Sequence, residues 1–317
     1  MEADHPRGGK VARDGVLLMS GEAVPVPDGL NWLTGVVGGS AWLSELPRLV
    51  AGCVGDWRLT VETPIQHTGV SWVAYAELPD GTPAVLKLGF PDEESEHEAN
   101  ALELWAGRGA VRLYAYDGAR HGMLLERCVP GAQLWKVPHD DAANHIAASV
   151  LRRLWRPASA AAPFRSLADL AERWADELPV RYGRHGRPFP RRLLDEAISW
   201  CAELGGSQAE LVVCHQDFHG GNVLGEGDGW LAIDPKPLLG ERAFDLASLL
   251  RDRRDQLLSG PTPTRAMRRR LDLLSSELGV ERERARGWGI VHALAWGLAD
   301  EGLYAPNIAC AELLAEC

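Results

Sequence analysis

The chain has 317 residues, of which 46% are hydrophobic and 24% are charged, so it can bury a large core in two lobes. Its net charge of −11 opposes attraction to nucleic acid and suits a cationic small-molecule partner. No apolar run reaches the roughly 18 residues of a membrane span, and the N-terminus lacks a signal peptide's apolar core, so we expect a cytoplasmic protein with no membrane, nucleic-acid or obligate protein partner.

The first part of the chain predicts a small, mostly antiparallel sheet with one helix. Residues 1–29 are rich in Gly, Pro and charge, which is typical of a flexible leader. A short helix is predicted over Ser40–Cys53. Period-2 alternation and turn residues then predict five strands, at 57–63, 71–78, 83–88, 111–116 and 122–127, and the charged segment 92–105 predicts a helix.

After Pro130-Gly131 the pattern becomes mainly helical, interrupted by short strands on either side of residues 215–222. The expected organisation is therefore a leader (1–29), an N-terminal lobe (30–127) and a helical C-terminal lobe (128–317).

One polar motif points to phosphoryl transfer. His215-Gln-Asp217 is followed by Asn222, and Asp234 closes the apolar run 230–233. In such sites one Asp accepts the proton of the acceptor hydroxyl, while an Asn and a second Asp hold Mg²⁺. The spacing therefore predicts Asp217 as the catalytic residue and Asn222 and Asp234 as metal ligands.

A second candidate feature is Lys87, one of only four lysines, which lies inside the apolar strand 84–88. A strand lysine can snorkel to the surface, but here we favour contact with the phosphates of ATP, assisted by a glutamate of the following helix. Glu98 shares the apolar face of Leu102 and Trp105, so it is our choice, with Glu94 as the alternative. Most other acids of this segment belong to a solvated charge run.

The loop before the second strand can cover the phosphates. It contains Thr68, Gly69 and Ser71, whose backbone amide and hydroxyls are candidate phosphate ligands, although an ordinary hairpin loop explains them equally well.

Another enzyme class also fits one motif: His215, Asp217 and His219 alternate as metal ligands do in a metallohydrolase. That class leaves Lys87 and Asn222 unexplained.

These residues resemble one family. His215-Gln-Asp-Phe-His-Gly-Gly-Asn222 and Asp234-Pro-Lys-Pro are similar to the aminoglycoside phosphotransferases, in the branch of streptomycin 6-kinases and hydroxyurea-resistance kinases. The resemblance implies a protein-kinase-like α+β fold, in which 30–127 is the nucleotide-binding N-lobe and 128–317 is the C-lobe that carries the catalytic loop and the acceptor pocket. It also implies a hinge near Glu126 and Cys128 whose backbone pairs with adenine, and it assigns the same roles to Asp217, Asn222, Asp234, Lys87 and Glu98.

The expected activity is ATP- and Mg²⁺-dependent O-phosphorylation that inactivates a cationic aminoglycoside. The acceptor that we favour is of the streptomycin type, and the enzyme would then be a streptomycin 6-phosphotransferase. Hydroxyurea or another small metabolite is the alternative acceptor. The presumed C-terminal helix 288–303 places Trp296 one turn before Asp300 and Glu301, which suggests an aromatic wall beside carboxylates for the cation. A helix end that exposes two acids to water explains them equally well.

Overall fold

The chain folds into two units in the computed structural model, which describes residues 24–66, 69–159, 161–299 and 302–317. One unit consists of the chain up to Phe90 together with Tyr114–Arg127, and the other of Pro91–Leu113 together with Cys128–Cys317. The segment 91–113, assigned from the sequence to the N-lobe, thus groups with the larger unit.

The smaller unit is one five-stranded sheet with a helix. A 3₁₀ helix (Asp28–Gly35) leads into α1 (Gly39–Trp57), and the sheet order is β1-β2-β3-β5-β4. The strands are β1 (Thr60–Val61), β2 (Ser71–Glu77), β3 (Pro83–Gly89), β4 (Leu113–Asp117) and β5 (Gly122–Glu126). The predicted strand 57–63 was too long, because α1 continues to Trp57 and only two residues pair with β2.

Alternation of side chains builds the core of this unit. Trp72 and Leu86 are buried on the sheet and pack with the apolar face of α1. Val24 and Val26 also pack against this core, and the Trp72 indole N–H donates to the carbonyl of Pro25 at 3.0 Å. Residues 24–29, which the sequence analysis placed in the leader, are therefore part of the packed unit, and residues 1–23 lie outside the described part of the chain.

The larger unit is mainly helical. Its helices are α2 (Glu98–Trp105), α3 (Asp140–Leu154), α4 (Leu167–Arg184), α5 (Arg191–Gly206), α6 (Leu246–Leu250), α7 (Arg254–Ser259), α8 (Pro263–Leu278), α9 (Arg282–Gly297) and α10 (Ala305–Ala315). Its strands are β6 (Pro130–Gln133), β7 (Arg165–Ser166), β8 (Val212–Cys214), β9 (Val223–Glu226), β10 (Gly229–Ala232), β11 (Leu238–Gly240), β12 (Leu298–Ala299) and β13 (Gly302–Leu303). None of the helices in the described ranges is long and apolar enough to cross a membrane.

The helix predicted over 92–105 begins only at Glu98. The Asp92 side chain accepts hydrogen bonds from the backbone N–H groups of Glu94 (2.8 Å) and Ser95 (2.9 Å), which stabilises a turn in place of the first helical turns. The helix predicted over 288–303 also ends early, at Gly297, and a short β12–β13 pair follows it.

Two small sheets of the larger unit position the motif residues. β8 pairs with β11 and leads directly into His215. β9 and β10 form a hairpin in which Val223 faces Ala232, and the N–H of Ile233 donates to the carbonyl of Asn222 at 2.9 Å. Asn222 and Asp234 consequently leave the same end of one hairpin.

Candidate active site

The loop that carries Asp217 is held by a buried aspartate, Asp245. One oxygen of Asp245 accepts the backbone N–H groups of His215 (2.8 Å) and Gln216 (3.0 Å), and the other accepts the Trp155 indole N–H at 2.8 Å. Burial raises the pKa of Asp245 to about 6, against the lowering effect of these hydrogen bonds. This side chain fixes the backbone immediately before Asp217.

His215 orients the loop and is not suited to act as a base. Its ring is fully buried, stacks on Trp105 of α2 with ring centroids 6.2 Å apart, and places Nε2 3.0 Å from the carbonyl oxygen of Ile233. Burial lowers its pKa to about 4, so the ring is neutral near pH 7. His215 therefore ties the catalytic loop both to α2 and to the end of the β9–β10 hairpin.

Gln216 has a structural role to which the sequence motif gave no clue. Its backbone is left-handed, with φ of 66°. Its side-chain oxygen accepts a hydrogen bond from Arg165 at 3.2 Å, and its carbonyl accepts one from the Ser248 hydroxyl at 3.1 Å. These bonds offset the cost of the strained backbone and fix the residue that precedes Asp217.

Among the described residues, the carboxylate of Asp217 has only weak contacts. One oxygen lies 3.5 Å from the Asn222 side-chain nitrogen, and the other lies 3.7 Å from Nε2 of His219. Neither distance corresponds to a strong hydrogen bond. The carboxylate is thus available to accept a proton from a hydroxyl group placed beside it.

The donor groups of Asn222 and Asp234 fit a magnesium ion. The Asn222 side-chain nitrogen donates to the backbone carbonyl of Asp217 at 3.0 Å, which turns the amide oxygen away from that carbonyl. Asp234 adds a carboxylate at the same end of the hairpin and has a left-handed backbone, with φ of 58°. An amide oxygen and a carboxylate are hard oxygen donors of the kind that Mg²⁺ takes alongside water and phosphate.

Lys236 adds a cation that the sequence analysis did not assign. Its ammonium lies 2.9 Å from the Glu94 carboxylate and 4.8 Å from the ring centre of Trp296. Burial disfavours its charge, but the carboxylates of Glu94, Asp217 and Asp234 outweigh burial and raise its pKa. The scarcity of lysine in the chain was a signal that could have drawn attention to this residue.

A flat aromatic contact covers the other end of the catalytic loop. Trp135 stacks on His219 with ring centroids 5.1 Å apart, and its indole N–H donates to Asp252 at 2.6 Å. A Cβ atom at Gly220 or Gly221 would lie 2.6 or 2.8 Å from the Trp135 ring, so both positions require glycine. The pair Gly220-Gly221 in the motif therefore allows the indole to lie against the loop.

The candidate nucleotide-binding residues occupy the predicted elements. Lys87 lies in β3 between β2 and β5, and Glu98 is the first residue of α2. Their exposed fractions are 6% and 2%, so neither is a solvated surface charge. Burial of this kind requires compensation by other groups. Glu94, the alternative partner, contacts Lys236 instead, and the pairing of Lys87 with Glu98 stays a prediction.

The other nucleotide candidates are placed as follows. Ser71 is buried, and the carbonyl of Gly69 accepts a hydrogen bond from the Trp32 indole at 3.1 Å. Thr68 lies outside the described residues. Glu126 ends β5 and Cys128 begins the next segment of the larger unit, so the predicted hinge coincides with a boundary between the two units.

The predicted acceptor residues are only partly described. The ring of Trp296 already contacts cationic side chains of the protein, with Lys236 at 4.8 Å and Arg251 at 5.5 Å from the ring centre, and it stacks on His292. Asp300 and Glu301 lie outside the described residues. The structure therefore leaves their contact with an acceptor as a prediction.

The metallohydrolase alternative finds no support in the site. Nε2 of His215 contacts a backbone carbonyl, and Nδ1 of His219 accepts the N–H of Gly221 at 3.0 Å. Within the described ranges, no group of three or more His, Cys, Asp or Glu side chains is arranged to hold a metal ion. The alternating motif does not form a transition-metal site of protein ligands.

Comparison with known proteins agrees with this geometry. Residues 56–300 match the family model described as aminoglycoside/hydroxyurea antibiotic resistance kinase. A streptomycin 6-kinase of Streptomyces glaucescens is 40% identical over 268 residues, which cover 83% of this chain and 86% of that protein. A hydroxyurea phosphotransferase of Kitasatospora aureofaciens is 37% identical over 290 residues, covering 88% and 82% of the two chains.

A solved structure shares the fold. It is a thermostable mutant of an aminoglycoside phosphotransferase in ternary complex with ADP and hygromycin B, with a TM-score of 0.57 and 13% identity, over 84% of this chain and 96% of that one. This similarity confirms the predicted protein-kinase-like α+β fold. The family match and the relatives together show that the chain belongs to the aminoglycoside/hydroxyurea antibiotic resistance kinases.

Proposed function

We propose that the protein transfers the γ-phosphoryl group of ATP to a hydroxyl group of a streptomycin-type aminoglycoside. The observation that carries the proposal is that the weakly held Asp217 carboxylate lies on the same loop as Asn222. The backbone carbonyl of Asn222 accepts a hydrogen bond from the N–H of Ile233, the residue before Asp234. The streptomycin 6-kinase relative supports the acceptor class. The structurally similar aminoglycoside phosphotransferase was solved with ADP, which supports an adenine nucleotide as the phosphoryl donor.

In this proposal Asp217 positions the acceptor hydroxyl and takes its proton as the oxygen attacks the γ-phosphorus. The bond from the γ-phosphorus to the bridging oxygen breaks, so the products are the phosphate ester and ADP. Asn222 and Asp234 would hold Mg²⁺, which supplies neutralisation of charge on the phosphates. Lys87 would contact the α- and β-phosphates, and the backbone near Glu126 and Cys128 would pair with adenine.

The product explains resistance by simple chemistry. A phosphate group adds about 1.5 to 2 negative charges and considerable bulk to a cation. A drug whose target site selects a positively charged ligand would then bind that site poorly. The acceptor is thus inactivated without being broken down.

Hydroxyurea is a second candidate acceptor. It is supported by the hydroxyurea phosphotransferase relative, which matches 88% of this chain, whereas the streptomycin 6-kinase relative matches 83%. The test is to incubate the purified protein with Mg·ATP and each of streptomycin, other aminoglycosides and hydroxyurea, and to measure phosphate addition by mass. Addition of one phosphate to streptomycin supports the proposal. Phosphorylation of hydroxyurea alone would replace the aminoglycoside as the acceptor.

A further inference from the structure

The ring of His219, two residues after Asp217, carries its hydrogen on a defined nitrogen. Its Nδ1 atom lies 3.0 Å from the backbone N–H of Gly221. A backbone N–H group can only donate a hydrogen bond, so Nδ1 presents its lone pair to Gly221 and the hydrogen of the neutral ring is on Nε2. His219 is therefore a hydrogen-bond donor at Nε2.

Stacking and hydrogen bonds hold the plane of this ring. The imidazole stacks on Trp135, with 9° between the two planes. Trp135 is itself tied to the catalytic loop, because its backbone N–H donates to the carbonyl of Gly220 at 3.2 Å and its indole N–H donates to Asp252. The carboxylate of Asp252 also accepts the backbone N–H of Gly220 at 2.9 Å. The direction in which Nε2 of His219 points is thus set by the loop and by its partner ring.

The Nε2 atom of His219 faces the carboxylate of Asp217. It lies 3.7 Å from one carboxylate oxygen, and the side-chain nitrogen of Asn222 lies 3.5 Å from the other. Each oxygen therefore has one N–H donor beside it, and donors at both oxygens limit rotation of the carboxylate. Because a carboxylate oxygen has two lone pairs, each oxygen keeps one for an acceptor hydroxyl.

The separation of His219 and Asp217 suits a contact that shortens during the reaction. It is roughly 0.8 Å longer than a normal N–H···O hydrogen bond, and catalytic hydrogen bonds commonly tighten in the complex with substrate. The two side chains are 28% and 16% exposed, so this polar ring lies at the surface of the site and does not fill the core.

We propose that His219 is a positioning residue for phosphoryl transfer. Its Nε2–H donates to one oxygen of the Asp217 carboxylate and fixes the plane in which that carboxylate meets the acceptor hydroxyl. The hydroxyl proton moves to Asp217 as the oxygen attacks the γ-phosphorus, and His219 keeps its own proton. Trp135 and Gly221 act through this ring, by fixing its plane and its tautomer. This inference rests on the proposed phosphotransferase function and adds a residue to its mechanism.

The test compares two amides that each replace one nitrogen of the imidazole. In His219→Asn the amide oxygen reaches the place of Nδ1 and can still accept the N–H of Gly221. In His219→Gln the amide nitrogen reaches the place of Nε2 and can still donate to Asp217. Both variants lose the ring that stacks on Trp135, so they differ in which hydrogen bond they keep.

Steady-state kinetics of the full chain with Mg·ATP and streptomycin measure the effect. His219→Asn should lower kcat about 10- to 100-fold, a loss typical of a misplaced reacting group, and should leave the KM for ATP unchanged. His219→Gln should retain most of the wild-type kcat. His139→Asn, at an exposed histidine before α3, is the matched control and should change neither constant.

The order of the two variants decides the proposal. An equal loss of kcat in both, or a larger loss in His219→Gln than in His219→Asn, would overturn it, because His219 would then act through its stack on Trp135 or through Gly221. Unchanged kcat in His219→Asn would overturn it as well.

A second measurement does not depend on the activity of any variant. Nitrogen-15 NMR of the wild-type protein labelled at histidine shows which ring nitrogen carries the hydrogen. The signals of His219 are those, among the ten histidines, that disappear in either variant. Hydrogen on Nε2 is expected, and hydrogen on Nδ1 would overturn the proposal, since Nε2 could then not donate to Asp217.

The outcomes separate this inference from the proposed function. If the wild type phosphorylates streptomycin and the variants show the wrong order, the inference fails and the function stands. If the wild type phosphorylates hydroxyurea and no aminoglycoside, the same order of kcat values is measured with hydroxyurea. Transfer of phosphate to neither acceptor would reject the proposed function whatever the tautomer of His219.

Discussion

Lys236 lies two residues beyond Asp234 in the chain, and its ammonium lies 2.9 Å from the carboxylate of Glu94. Glu94 belongs to the turn before α2, and Lys236 follows the β9–β10 hairpin. The contact therefore links the segment before α2 to the candidate metal site within the larger unit. The sequence alone predicted neither the contact of Lys236 with Glu94 nor its contact with Trp296.

Lys236→Met should lower kcat by roughly 10²-fold, a loss typical of removing one charged group from a phosphoryl-transfer site. Without the ammonium, the carboxylates of Glu94, Asp217 and Asp234 repel one another and no longer hold their positions. Lys236→Arg keeps the charge and should retain more activity than Lys236→Met. An unchanged kcat in Lys236→Met, measured at saturating ATP and acceptor, would contradict this role.

Asp217→Ala should abolish transfer without weakening nucleotide binding. A general base contributes about 10²–10⁴ in rate, and within the described part of the chain this carboxylate has no strong hydrogen bond that supports the fold. Affinity for ATP is measured by calorimetry and transfer by mass. Near-normal turnover in this variant would remove Asp217 from the mechanism.

Asp234→Asn should lose activity together with its response to Mg²⁺. If Asn222 and Asp234 hold the ion, the wild type needs Mg²⁺ or Mn²⁺ and is insensitive to a zinc-selective chelator. Activity of the variant should recover only partly at high Mg²⁺. Stoichiometric zinc in the purified protein and phosphate-ester hydrolysis without ATP would support the metallohydrolase alternative.

Asp245 should make the free energy of unfolding depend on pH in an unusual direction. Its folded pKa is raised from 3.8 to about 6, so the folded state binds more protons than the unfolded state between these values. Its contribution therefore decreases as pH rises from about 4 to 6, by at most about 3 kcal/mol, and is constant above that range. Denaturant unfolding of the wild type and Asp245→Asn at several pH values measures the difference, and a difference independent of pH would exclude this effect.

Local patterns were sufficient to predict β2, β3 and β5 and to place Asp217 and Asn222 in one loop. The alternation of side chains between the two faces of β2 and β3 is set by consecutive residues of the sequence. Asp217 and Asn222 are likewise only five positions apart, so their spacing can be read from one short segment. The same local reasoning failed at Asp92, where a side chain bonded to the backbone favours a turn over a helix.

Contacts between distant segments could not be predicted in this way. Trp135 and Asp252 are 117 positions apart, and nothing in either segment alone indicates that their side chains are hydrogen-bonded. Glu94 is even further from its partner Lys236 in the chain. The resemblance to a family implied roles for the motif residues, but it indicated neither of these contacts.

The close approach of Trp135 to Gly220 and Gly221 makes these three positions a single unit of variation. The indole occupies much of the space that a Cβ atom at either glycine would need, together with the Asp252 carboxylate at position 220 (2.9 Å) and the His219 ring at position 221 (2.8 Å). Substitutions at 135 and 220 should therefore show strong energetic coupling in a double-mutant cycle. A change at one glycine alone has to displace the Trp135 ring from the loop that carries Asp217.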